Sequence, residues 1–96
     1  NHIPDIEISV VRVHKDSAVA GKTLQDIQLR KAYGINLLAI KRGDETIYNL
    51  DPNTTIRSHD TVFLMGDGRK MACARGLFRG SDAPVCENPV ERFSGR

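Results

Sequence analysis

Residues 21–43, GKTLQDIQLRKAYGINLLAIKRG, decide the fold that this sequence predicts. Thr23 is typical of a helix N-cap, and Asp26 three positions later completes a pair that resembles a capping box. Gly34 is suited to end the helix because glycine adopts positive φ without steric cost. Residues 35–40 are almost entirely apolar, which predicts a central strand covered on both faces. The stretch therefore predicts one helix followed directly by one buried strand.

Further strand and helix patterns lie on either side of this unit. Residues 6–11 have the alternation of a strand. After a turn, residues 46–50 are predicted to return as a hairpin partner, and residues 61–65 form a second buried strand. Asp67 is a candidate cap for a helix over about 69–78. The mixture of strands and helices predicts an α+β class.

The length of 96 residues indicates a single domain. Residues 1–5 contain a proline and are predicted to be a linker, and residues 6–78 form the domain. Residues 79–96 are rich in glycine, serine and proline, which predicts a flexible C-terminal tail. The first residue is not methionine, which suggests a piece of a longer protein. No apolar run approaches the length of a membrane span.

Composition argues against several function classes. A net charge of +2 and five aromatic residues are too little for a nucleic-acid surface. No P-loop or other glycine-rich phosphate motif is present, and no nucleophile–base pair can be assembled, so we predict neither catalytic residues nor an enzyme. The three histidines lack the spacing of metal ligands, so no metal site is predicted. Reduced thiols are favoured over a disulfide for the two cysteines, Cys73 and Cys86.

Charge is segregated along the chain. Residues 21–42 hold five cations and one acid, whereas residues 43–67 hold five acids and one cation. This pattern fits either a solvated helix face followed by acidic turns or a basic rim for a phosphate. Arg42 directly follows the apolar strand, where its guanidinium is either a bidentate phosphate ligand or a solvated turn residue. Asn36 and Asn49 are candidate partners for a base edge, or alternatively they serve a strand end and a turn.

An ordered series of motifs supports a family assignment. The motifs are Gly21-Lys22-Thr23-Leu24, Leu29-Arg30, Tyr33-Gly34, Ala39-Ile40-Lys41-Arg42-Gly43, Pro52, Thr54-Thr55-Ile56 and Asp60-Thr61-Val62-Phe63-Leu64-Met65-Gly66. This series resembles the TrkA C-terminal domain, also called the RCK C-terminal domain. The resemblance covers about residues 6–78.

The resemblance implies a small α+β domain, a β-sandwich-like sheet with two helices, that forms a two-fold homodimer. It implies a non-catalytic, cytoplasmic regulatory module of a potassium or sodium transport protein of the inner membrane, acting on the membrane-embedded part and not on nucleic acid. Some members bind cyclic di-AMP between the two copies, and no other cofactor is expected. The matching ligand residues here are Asn36, Ala39, Ile40, Arg42 and Asn49, with the small Ala39 leaving space for adenine.

The host protein has two candidate classes. Residues 76–80 resemble the closing segment of cation:proton antiporters, which favours an antiporter over a channel. The alternative function is a purely structural dimerisation module of a potassium channel or uptake system, with no small ligand.

Overall fold

The computed structural model describes residues 6–80, and within them the strands form one antiparallel sheet in the order β1-β4-β2-β3. The elements are β1 (Ile6–Arg12), α1 (Leu24–Ile27), α2 (Leu29–Tyr33), β2 (Ile35–Arg42), β3 (Glu45–Ile47), β4 (Thr61–Asp67) and α3 (Gly68–Phe78). The predicted α+β class is confirmed, with a single sheet rather than two facing sheets. Helical segments cover one face of it. The predicted linker, residues 1–5, and residues 81–96 of the predicted tail lie outside the described part of the chain.

The predicted single helix is wrong, because the chain breaks it into α1 and α2 at Gln28. Gln28 adopts the left-handed conformation with φ of 55°, and its side-chain Nε2 donates to the Gln25 carbonyl at 2.7 Å. The break turns Leu29 into the core, where it is buried. Both predicted ends are confirmed: Thr23 and Asp26 form the capping box, and Gly34 ends α2 with φ of 68°.

A β-bulge in β2 corrects the prediction that this strand is covered on both faces. Leu37 pairs with Leu64 and Ala39 pairs with Phe63, so Leu38 is the extra residue between them. The bulge shifts the alternation by one position, and Leu38 is left 40% exposed. The second half of β2 therefore presents its side chains to the opposite faces from those that simple alternation would give.

The core lies between the covered face of the sheet and the helical segments. Its fully buried members are Val13, Ile35, Ile40, Ile56, Val62, Leu64, Met71, Ala74 and Phe78. The helix α3 begins at its predicted N-cap, Asp67, whose carboxylate accepts the Arg69 N–H at 2.9 Å. Cys73 on α3 is disulfide-bonded, so the preference for reduced cysteines was wrong; Cys86 lies outside residues 6–80.

The hairpin between β2 and β3 is shorter than predicted. β3 spans only Glu45–Ile47, and its last ladder pair is Ile40 with Ile47. After Ile47 the chain turns, and the Leu50 N–H donates to the Tyr48 carbonyl at 3.0 Å. The first half of β2 is thus left without a strand partner on that side.

Candidate functional site

Within residues 6–80, one face of the sheet carries no helix, and this face, which we call the open face, is apolar at its centre. Ile6, Ile8 and Val10 of β1 are each 60–63% exposed there. Register places Ile8 beside Met65 and Val10 beside Phe63 of β4. Since monomeric proteins seldom expose a contiguous apolar patch of this kind, the open face has the character of an interaction surface.

Two of the predicted ligand residues lie on the open face. Asn36 pairs with Met65, and Ala39 pairs with Phe63, so both lie beside the apolar side chains of the open face. Ala39 is itself buried, so the side chains around it cover most of its surface. The bulge at Leu38 is what brings Ala39 to this face.

Ile40 does not share that surface. It pairs with Val62, and its side chain is fully buried in the core on the opposite side of the sheet. A ligand on the open face would therefore reach only the main chain of Ile40. Ile40 as a ligand residue therefore stays a prediction, and it concerns the main chain of this residue.

Arg42 forms a bidentate ion pair with Asp60. Its Nε donates to Asp60 Oδ1 at 2.9 Å, and its Nη2 donates to Asp60 Oδ2 at 2.8 Å and to the Thr55 carbonyl at 3.0 Å. The Asp60 side chain is 2% exposed and also accepts the Arg57 N–H at 2.9 Å. The hydrogen bonds that Arg42 donates to Asp60 raise the pKa of Arg42 above its ordinary value. The arrangement ties the end of β2 to the segment before β4.

This pairing changes what Arg42 is able to do. It is neither a fully solvated turn residue nor an unoccupied cation, because Nε and Nη2 are already bonded within the fold. Its side chain is 30% exposed, so Nη1 is the nitrogen left to meet a phosphate. A phosphate contact by Arg42 stays a prediction. Asp60 was missed in the sequence because it lies 18 positions from Arg42.

Asn49 lies in the loop that follows β3. Its side chain is exposed, and the preceding Tyr48 is also exposed. Because Ile40 and Ile47 form the last pair of that ladder, Tyr48 comes one position after the hairpin, level with Ala39. Asn49 thus lies near the edge of the sheet, and its contact with a base stays a prediction.

A groove of about 870 Å³ runs along the first half of β2, on the edge that β3 does not cover. Its apolar walls include Leu24, Leu29 and Leu37, and Asn36 stands where the groove meets the open face. Arg30 and Lys31 lie at its rim. Among the predicted ligand residues, Asn36 is the one that lines this groove.

The remaining chemistry of residues 6–80 is limited. No group of three or more His, Cys, Asp or Glu side chains in this part of the chain is placed to hold a metal ion. No helix within it is long and apolar enough to cross a membrane. The open face was not recognised in the sequence, although the alternation of Ile6, Ile8 and Val10 was the signal for a shared face.

The chain is similar to known proteins both in sequence and in structure. The family model of the TrkA-C domain matches residues 8–79. The Ktr system potassium uptake protein C of Bacillus subtilis (strain 168) is 40% identical over 60 residues, which cover 62% of this chain and 27% of that protein. The chain thus spans about a quarter of the length of this curated relative.

Two solved structures share the fold. The RCK C domain of the potassium transport protein KtrA, solved in complex with cyclic diadenosine monophosphate, superposes with a TM-score of 0.66 at 28% identity, covering 74% of this chain and 81% of that one. The RCK_C domain dimer of S. agalactiae BusR, also solved with c-di-AMP, has a TM-score of 0.67 at 24% identity over 74% of this chain and 93% of that chain.

Proposed function

Because the chain belongs to the TrkA-C domain family, we propose that it is a ligand-sensing regulatory domain of a potassium transport system. Domains of this family regulate transport and are not catalytic. The observation that carries the proposal is the open face, where Ala39 and Asn36 lie beside exposed apolar residues in a fold shared with a cyclic di-AMP complex. The ligand is cyclic di-AMP, bound between two copies of the chain.

The second copy packs on the open face. Burying a large aliphatic side chain stabilises by about 1.5–3 kcal/mol, and Ile6, Ile8 and Val10 still have most of their area to bury. Association costs at least about 4 kcal/mol in lost translational and rotational freedom. These three exposed apolar side chains therefore support a weak dimer, which a bound ligand would strengthen.

The ligand site includes the five residues that match the family pattern. Ala39 and Asn36 contribute from the open face, Asn49 from the loop after β3, Arg42 through Nη1, and Ile40 through its main chain. A ligand that binds one arrangement of the dimer more tightly shifts the population toward it. That shift is the signal passed to the membrane-embedded part of the transporter.

The host is a Ktr-type uptake system, as the relative from Bacillus subtilis favours. A cation:proton antiporter is the second candidate, supported by residues 76–80. In either host the domain acts on the cytoplasmic side of the inner membrane and binds no nucleic acid.

Titration calorimetry with cyclic di-AMP tests the proposal. The chain should bind one dinucleotide per two copies. Ala39→Leu should weaken binding at least about tenfold, because the added atoms would occupy the space that the small Ala39 leaves for the adenine in this proposal. Ala32→Leu, at an exposed position on α2, is the matched control and should bind as wild type does.

Absence of any heat with the wild-type chain contradicts ligand sensing. Equal binding by the Ala39 and Ala32 variants contradicts the location on the open face. Arg42→Ala is a poorer test, because it also leaves the buried Asp60 without its partner.

A structural dimerisation module without a small ligand is the second candidate, and the apolar open face favours it as well. Sedimentation should then show a dimer that Ile8→Glu disrupts and Lys31→Glu does not. Cyclic di-AMP should leave the melting temperature unchanged, whereas a true ligand at 100 times its Kd adds about 2.7 kcal/mol of stability.

A further inference from the structure

A row of polar side chains crosses one end of the open face. Register aligns Arg12 of β1 with Thr61 of β4, Thr61 with Lys41 of β2, and Lys41 with Thr46 of β3. Each follows the alternation of its strand onto the same side as Val10, Phe63 and Ala39. We call these four residues the cation row. It places two positive charges and two hydroxyl groups together on a rigid sheet.

Contacts among residues 6–80 do not engage the two cations of this row. Arg12 and Lys41 are exposed, and neither has an ion-pair or side-chain hydrogen-bond partner among residues 6–80. Arg42, by contrast, is bonded to Asp60 through two nitrogens. The row itself contains no carboxylate. An anion placed over Thr61 would therefore meet two uncompensated positive charges.

The distances in the row suit a phosphate. Residues directly opposite one another in an antiparallel sheet have Cα atoms about 5 Å apart, so Arg12 and Lys41 are about 10 Å apart with Thr61 between them. Both side chains are long enough to converge on a group that the Thr61 hydroxyl also contacts. Arginine and lysine both bind phosphate oxygens through charge-assisted hydrogen bonds.

The neighbouring row of the sheet suits a base. This row consists of Val10, Phe63 and Ala39. Each lies two residues from its neighbour in the cation row on the same strand, a distance of about 7 Å. A separation of this size is close to the span of one ribose between the phosphate and the base of a nucleotide. Phe63 provides an aromatic surface, and the small Ala39 pairs with it and leaves more room for a base than a larger side chain would.

We propose that Arg12, Thr61 and Lys41 bind a phosphodiester of the dinucleotide while its base rests on the Phe63–Ala39 row. This inference rests on the proposed function and assigns the phosphate contact to residues outside the family-matched set. An isologous dimer presents the same row twice, and cyclic di-AMP carries two equivalent phosphates. Each copy then supplies one row to one phosphate.

Charge-removing variants with matched controls test the assignment. Arg12→Gln and Lys41→Gln remove the proposed contacts, whereas Arg30→Gln and Lys31→Gln remove exposed charges of the same types on α2. Calorimetry is run with cyclic di-AMP and with adenosine, which has no phosphate. Each variant of the row should weaken cyclic di-AMP binding about tenfold, as loss of one charge-assisted contact implies. Adenosine binding should not differ among the variants.

Salt provides a second readout. Raising the salt concentration from about 50 to 300 mM should weaken the affinity of the wild type for cyclic di-AMP, because salt screens the charges of Arg12 and Lys41. The affinity of the Arg12→Gln/Lys41→Gln double variant should change less, because this variant lacks both charges. If the wild type binds cyclic di-AMP and the row variants match their controls, the cation row is refuted while the proposed function stands. If the wild type does not bind, both are refuted.

Discussion

Replacement of Arg42 by methionine isolates the contribution of the Arg42–Asp60 pair to stability. Methionine keeps most of the aliphatic stem but removes the guanidinium. The Asp60 carboxylate, which is 2% exposed, would then keep only the Arg57 N–H among its present donors. A buried carboxylate that loses a bidentate cationic partner is costly, because water cannot fully replace the lost hydrogen bonds.

The size of the effect follows from burial. Removing one partner of a fully buried pair costs about 3–5 kcal/mol. Because 30% of the Arg42 side chain is exposed, water can partly solvate the vacated site. We therefore expect about 2–3 kcal/mol. In a domain of this size that corresponds to a fall in melting temperature of about 10–20 °C.

A double-mutant cycle in urea, at one fixed protein concentration, measures the pair directly. Asp60→Asn retains an oxygen that can accept the Arg57 N–H, so the double variant should be more stable than the sum of the single losses predicts. We expect a coupling of at least about 1.5 kcal/mol. Arg30→Met, at an exposed site, is the control and should cost less than about 0.5 kcal/mol. Additivity within about 0.5 kcal/mol would refute the reasoning.

Three further predictions concern backbone geometry, capping and titration. Gly66→Ala should destabilise by about 2–3 kcal/mol in urea unfolding, because its Cβ would lie 2.8 Å from the Gly34 carbonyl oxygen. Gly34→Ala, with φ of 68° and no atom within 4 Å, should cost only about 1 kcal/mol of conformational strain; equal losses contradict this distinction. Thr23→Ala should cost about 1 kcal/mol in thermal unfolding by removing the side-chain cap of α1, and serine at the same position should restore most of it. Hydrogen bonds from Arg69 lower the pKa of Asp67 from 3.8 to about 2, so the stability it contributes is present above about pH 4 and is lost as pH falls toward 2. Carboxyl NMR should place its midpoint near 2 in the wild type and higher in Arg69→Gln; a wild-type midpoint near 3.8 contradicts the pairing.

The features predicted correctly from the sequence depend on contacts between near neighbours. The capping box joins Thr23 and Asp26, and the positive φ of Gly34 serves the end of its own helix. The N-cap of α3 by Asp67 is equally local. Such contacts are determined by residue types at short spacing, so one sequence suffices to predict them.

The features that were missed depend on distant parts of the chain. The left-handed Gln28 has no glycine-like signal, and the bulge at Leu38 is apparent only once β2 is paired with β4. Alternation in β1 shows that Ile6, Ile8 and Val10 share a face, but it cannot show whether helices cover that face. The partner of Arg42 was missed for the same reason, since Asp60 approaches it only through the sheet.

The bulge at Leu38 also determines how β2 tolerates changes in length. Loss of Leu38 alone would leave Leu37 opposite Leu64 and Ala39 opposite Phe63, so β2 would become a regular strand with Ala39 and Ile40 on their present faces. Pairing of Leu38 itself with Phe63 would instead move every later residue of β2 by one position and exchange the faces of Ala39 and Ile40. Such a register would also turn Arg42 away from Asp60 and Lys41 away from the open face. We therefore expect related chains that keep the ligand surface either to retain this extra residue as a bulge or to lack it, whereas a change in length at the Gly43–Asp44 turn would affect the hairpin alone.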